Sequence, residues 1–189
     1  MINYSNISES IQFYQEKYQY YPINVSWTAG ADFINITLPE NRKGIKSDLG
    51  ILVGSAEQSI LELVRTKSLK GKYQATTPCF RDDLIDNLHQ KYFLKTELFN
   101  NISVTRNSLD EMITAAKTFF EQYLTIRVTQ LVENTYDIVE YFSGIELGSY
   151  GIRSHPLVGS WIYGTGCAEP RLSYVIENQG KICLEQLKK

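Results

Sequence analysis

Apolar positions change their period several times along this 189-residue chain, and each change marks an element. From Ser8 to about Tyr20, the residues Ile11, Tyr14 and Tyr18 recur at helical spacing, which predicts a first helix before Pro22 turns the chain. A strand is expected from Ile23. "ADFINITLP" alternates as a strand does, and "DLGILVG" is a short apolar run that suits another. "SAEQSILELVRTK" opens with Ser55 and Gln58 at capping-box spacing, which predicts a helix. "KYQATTPCFR" and "QKYFLKTELF" read as antiparallel partners joined by a polar loop. "SLDEMITAAKTFFEQYLTIRV" starts with a second capping box, Ser108 to Glu111, and predicts a long helix. In "YDIVEYFSGIELGSYGIR" the pair Ser143-Gly144 suits a hairpin turn, and "GSWIYGTGCAEPRLSYVIEN" runs from a strand into a helix.

This order of helix, antiparallel strands, helix, more strands and helix predicts an α+β fold with helices packed on one antiparallel sheet. Neither a repeat nor a linker-like tract divides the chain, so residues 1–189 are expected to form a single domain. A unit of this size buries roughly 70% of its unfolded surface, enough for a core without covalent staples.

Within the second antiparallel partner, period-2 alternation puts Tyr92, Leu94, Thr96 and Leu98 on a core face and Lys91, Phe93, Lys95, Glu97 and Phe99 on the other. Across from them Arg81 shares a face with the small residues Cys79, Thr77 and Ala75, which leaves room beside the guanidinium for a ligand. Alternation is equally met by a surface face on which Arg81 pairs with Glu97 and Phe93 covers an aliphatic stem.

Composition narrows the function classes. Hydrophobic residues are 43% of the chain and charged residues 21%, a folded composition. A formal charge of −2 argues against a general polynucleotide binder, whose affinity for phosphate backbones comes from Lys and Arg. Cys79, Cys167 and Cys183 have no CxxC spacing, so neither a disulfide framework nor a zinc site is indicated. With no signal-like start and no apolar run of membrane length, a cytoplasmic protein is the expectation.

"CFRDDLIDNLHQKYFLKTELF", with its Arg, His, Phe and Glu at 81, 89, 93 and 97, resembles motif 2 of the class II aminoacyl-tRNA synthetases, especially the subgroup that handles Asp, Asn and Lys. The resemblance implies Arg81 on the α-phosphate of ATP and the substrate carboxylate, His89 near the γ-phosphate, Phe93 under adenine and Asp83 beside its exocyclic amine. Glu97 is implied in substrate binding. Such a set suits in-line displacement at phosphorus, which needs positioned positive charge more than covalent help.

"WIYGTGCAEPRLSYVIEN" is similar to motif 3, with Gly164, Gly166 and Arg171 in register and Ala168 and Pro170 as departures. By that likeness the two glycines and Arg171 bind ATP, and Arg171 covers the far face of adenine and reaches the γ-phosphate. "ELGSYGIR" resembles the aspartyl and asparaginyl synthetases and ammonia-dependent asparagine synthetase. It implies that Glu146 holds Mg²⁺ with ATP, Asp137 being a possible second ligand, and that Arg153 grips an acidic side chain. Positions 146 and 153 fall on opposite faces of a straight strand, so Gly148 or Gly151 is expected to supply a bulge or bend. Gln58 lies near the place where these enzymes meet the substrate amino group, and the capping box explains it equally well. Pro22 suits motif 1, the dimer element.

The expectation is a class II synthetase-like catalytic domain without an anticodon-binding domain, an ATP-dependent, adenylate-forming ligase and a homodimer. With ATP and Mg²⁺ it converts an acidic amino-acid carboxylate to an acyl-adenylate for an acceptor the sequence does not name, whether small molecule, protein or RNA. The rival readings are an amide-forming ligase of the asparagine synthetase kind and a non-catalytic nucleotide-binding paralogue.

Overall fold

A computed structural model describes residues 1–39, 42–86, 88 and 90–186, with side-chain surroundings up to residue 179. The first helix, α1 (Tyr4–Tyr18), starts earlier than its apolar period predicts. Asn3 caps it by accepting from the Ser5 amide at 3.0 Å, and the buried Asn6 donates to Glu169 at 2.7 Å, a tertiary contact that fixes the polar first turn. The short strand β1 (Tyr21–Pro22) then follows.

After β2 (Thr28–Ala29) the chain departs from expectation. "ADFINITLP" holds the helix α2 (Ala31–Thr37), not a strand. Its β-branched residues favour a strand, but packing decides otherwise: Ile34 is buried, and the Gln58 amide donates to the Ile34 carbonyl at 3.2 Å and the Thr37 hydroxyl at 2.9 Å. β3 (Lys46–Ser47) and β4 (Gly50–Leu52) form the hairpin of a small sheet ordered β2-β4-β3. The helix α3 (Ala56–Lys67) is capped by Ser55.

β5 (Lys72–Phe80) and β6 (Tyr92–Asn100) pair antiparallel, with Ala75 opposite Glu97 and Cys79 opposite Phe93. The long helix α4 (Arg106–Phe120) is capped by Thr105, three residues before the expected Ser108, and stops short of Ile126. The stretch read as its end is the strand β7 (Ile126–Val132), joined to β8 (Thr135–Glu140) through Asn134 at positive φ. The Ser143-Gly144 turn connects β8 to β9 (Glu146–His155), with Gly144 at φ 70° and Glu140 accepting from the Ser143 amide at 2.6 Å. β10 (Gly159–Glu169) leads into α5 (Arg171–Gln186).

Seven strands form the main sheet in the order β1-β5-β6-β10-β9-β8-β7, antiparallel except where β1 joins β5. One face packs on α1, α4 and α5 through Tyr14, Leu98, Met112, Phe119, Tyr150 and Ile162. The other carries a smaller cluster under α3, including Ile60, Ala75, Phe99, Trp161 and Tyr163. The alternation read in β6 holds in its second half, where Thr96 and Leu98 turn to the helices and Glu97 and Phe99 to the α3 side, whereas Tyr92, expected on the core face, stands exposed at the start of the strand beyond the helix packing. Beyond α3 this second face is left open as a cleft. Among the described residues no helix is long and apolar enough to cross a membrane.

Candidate active site

The cleft lies over β5, β6, β10 and β9, with α3 and the segment after α2 as its far wall. Its wider part has a volume of about 430 Å³ and its lining includes Arg81, Asp83, Glu146, Arg153 and Arg171. A narrower slot beside it is bounded by Phe93, Ala168, Pro170 and Arg171, and shares Arg81, Lys95, Glu146 and Thr165 with the wide part. A volume of that order suits a small ligand.

Arg81 leaves the end of β5 and donates through Nε to the Gly54 carbonyl at 3.1 Å, and its guanidinium sits 5.0 Å from the centroid of the Phe93 ring. It has no carboxylate partner among the described residues. The other guanidinium groups of the cleft are ion-paired, Arg171 with Glu146 at 3.2 Å, Arg153 with Glu57 at 2.6 Å and Arg42 with Asp83. Arg81 is thus left able to meet an anion, as a planar fork of donors does well.

Two bulges bring the remaining groups to this face. In β9, Ile138 faces Gly148 while Val139 faces Glu146, so Leu147 is the extra residue. The shift beside Gly148 turns Glu146 to the same side as Ser149 and Arg153, where a straight strand would oppose them. In β10 the register slips at Gly166, which puts Thr165 and Ala168 on the cleft face.

Gly164 and Gly166 sit differently from the ATP contacts expected of them. A Cβ on Gly164 would meet Tyr150 Cδ1 at 2.4 Å and Met112 Sδ at 2.6 Å, and one on Gly166 would meet Tyr14 at 3.0 Å, all on the helix side of the sheet. Their missing side chains make room for core rings and do not line the cleft. Gln58 also turns inward: its oxygen accepts from the Gly54 amide at 2.8 Å and its amino group is used twice on α2. Asp83 is engaged by Arg42. His89 lies outside the described residues.

Glu97 is wholly buried and is held by Lys95 at 2.6 Å and the Ser55 hydroxyl at 2.5 Å, so it does not pair with Arg81. Its second oxygen has no partner. Asp137 stands on β8 opposite Ser149, its carboxyl raised by burial and by nearby Glu146 while Ser149 and Arg171 oppose the rise. One of its oxygens is also buried without a partner.

Residues that the sequence did not single out complete the cleft. Glu57, in the first turn of α3, accepts from Trp161 Nε1 and from Arg153, each at 2.6 Å. Burial raises its carboxyl, and those two donors restrain the rise. The Arg153 guanidinium also lies 3.8 Å from the Tyr163 ring centroid. A first-turn acid looks like a helix-dipole partner in sequence, so nothing local distinguishes Glu57.

No protein-family model matches the chain, and no curated protein does. Among solved structures it is similar to the cytoplasmic serine-tRNA ligase of Naegleria fowleri, solved in complex with AMP, with a TM-score of 0.71 and 19% identity. The likeness covers 92% of this chain and 48% of the ligase. The fold is class II aminoacyl-tRNA synthetase-like. The chain spans about half the length of that ligase, and at this identity the likeness speaks for the fold.

Proposed function

We propose that the chain is an ATP-dependent ligase of the adenylate-forming kind, activating the carboxylate of an amino acid. The observation that carries this reading is the convergence of Arg81, Phe93, Glu146 and Arg171 on one cleft of a synthetase-like sheet, with Arg81 free of any carboxylate partner among the described residues. That the similar ligase was solved with AMP supports the same nucleotide chemistry.

In the proposed reaction a substrate carboxylate oxygen attacks the α-phosphorus of ATP, the bond to the bridging oxygen breaks, and pyrophosphate leaves. Arg81 draws together two anions that repel each other and stabilises the charge spreading over the phosphoryl oxygens. Phe93 offers a face to adenine and Arg171 a cation to its other side or to the terminal phosphate. Arg81 must first lift from Phe93, so the aromatic face is exchanged from guanidinium to purine. Glu146 and Asp137 fit Mg²⁺, a cation that takes carboxylate oxygens, because Asp137 keeps a buried oxygen without a partner. Bound there with ATP, Mg²⁺ would neutralise phosphate charge.

The resemblance of "ELGSYGIR" supports a substrate of the aspartate and asparagine group, with Arg153 meeting its side chain. A homodimer through the exposed edge strand β1 belongs to the same proposal. The test is exchange of labelled pyrophosphate into ATP, assayed with each standard amino acid. One or a few should support exchange, and Arg81→Ala should lose about 100-fold or more in rate, the usual scale for removing a charge that stabilises a transition state. Phe93→Ala should weaken ATP about fivefold or more. Folded protein giving no exchange with any amino acid would refute the reading.

A further inference from the structure

The acidic side chain expected from Arg153 meets an obstacle in the structure. Arg153 Nη1 already donates to Glu57 at 2.6 Å, and Glu57 is only 3% exposed and additionally bound by Trp161. The Arg153 side chain is 37% exposed and lines the cleft with Ser149 and Tyr163, so the pair forms part of the surface a substrate meets. Its net charge is zero. Nearby Lys95 is likewise balanced by Glu97. Among the described cleft residues, the cations without a carboxylate partner are Arg81, at the phosphate end, and the exposed Lys43 on the opposite wall.

We infer that Glu57 is a specificity-determining residue, and that the Arg153–Glu57 pair selects an amino acid with a neutral carboxamide side chain over one with a carboxylate. This rests on the amino-acid-activating reading above. A guanidinium has five N–H donors and a carboxylate about four acceptor positions, so each partner keeps hydrogen-bonding capacity after binding the other. A carboxamide matches what remains, its oxygen accepting from Arg153 and its amino group donating to Glu57. A substrate carboxylate also accepts from Arg153, but brings a second negative charge against Glu57 and has no hydrogen to give it. The stack on Tyr163 and the bond from Trp161 fix both groups in place, which makes the pattern of donor and acceptor a property of the pocket and not of one mobile side chain.

Pyrophosphate exchange measured with asparagine, glutamine, aspartate and glutamate tests this directly. Wild type should use a carboxamide at least about tenfold better than the acid of the same length, in kcat/KM, since a site that hydrogen-bonds an N–H rejects the analogue lacking it. Glu57→Gln removes the negative charge and should shrink that ratio about tenfold, while ATP affinity, followed by calorimetry, stays unchanged. Arg153→Lys keeps a cation but loses the fork, and should lower use of both kinds of side chain without favouring the acid. Preference of wild type for the acid, or an unchanged ratio in Glu57→Gln, overturns the inference and leaves the activating reading standing. An apolar preferred substrate does the same, whereas no exchange with any amino acid overturns both.

Discussion

Tyr150 occupies the space that Gly164 leaves empty. From the neighbouring strand its ring lies against the glycine, and its hydroxyl donates to the Thr165 carbonyl at 2.6 Å. The glycine of β10 therefore serves packing behind the cleft. Gly164→Ala places a methyl within 2.4 Å of the Tyr150 ring and 2.6 Å of the Met112 sulfur, both fully buried. Overpacking of this kind costs about 1–3 kcal/mol, and urea unfolding should show that loss. A variant of unchanged stability with weakened ATP binding would instead restore the glycine to the nucleotide site.

Gln58 carries a parallel distinction. Its amide makes three hydrogen bonds, to the Gly54 amide, the Ile34 carbonyl and the Thr37 hydroxyl, which tie α2 to the start of α3. Gln58→Ala should cost about 2–3 kcal/mol, near 1 kcal/mol for each bond removed, again read by urea unfolding. Contact with a substrate amino group would produce the opposite pattern, a raised KM at unchanged stability.

Which parts of the molecule are legible in the sequence follows from the range of the forces involved. The β5–β6 pair is readable because the two faces of β6 meet different partners, Thr96 and Leu98 the helices and Phe93 and Glu97 the side of α3 and the cleft, and that difference imposes a period of two. The hairpin at Gly144 is readable because a positive φ needs a permissive residue locally. α2 reads wrongly as a strand because Gln58, more than twenty positions later, decides its conformation. The apolar pattern overruns the end of α4 because Ile126 and Val128 continue a run that suits helix or strand, and only pairing with β8 selects the strand. Glu57 is hidden since Arg153 and Trp161 reach it through sheet topology.

Cys79 and Cys167 are both wholly buried, and burial is the main cause raising each thiol, Cys167 well above the usual value. A raised thiol carries even less of the reactive thiolate at pH 8 than a free cysteine does. Native protein treated with iodoacetamide at that pH should leave both unmodified, as read by peptide mass spectrometry, while denatured protein should be alkylated at both. Rapid labelling of either in the native state would contradict the close packing of β5 around Cys79 or of β10 around Cys167.

Asp137 allows the proposed cation site to be probed without chemistry. Its folded-state pKa is raised above 3.8, chiefly by burial and next by Glu146. A group shifted in this direction contributes stability that is fully present below its unfolded value and is lost as pH rises through the folded value. Asp137→Asn has no such titration. The difference in Tm, variant minus wild type, should therefore increase from pH 4 to pH 7 in the absence of divalent cations. If the buried oxygen of Asp137 takes Mg²⁺ together with ATP, adding Mg²⁺ to the ATP-bound protein at pH 7 should raise Tm more in wild type than in the variant, because a ligand stabilises the form that binds it. Equal increments would remove Asp137 from the cation site and leave Glu146 to hold the ion, while a Tm difference flat across that pH range would show that burial on β8 leaves the carboxyl unshifted.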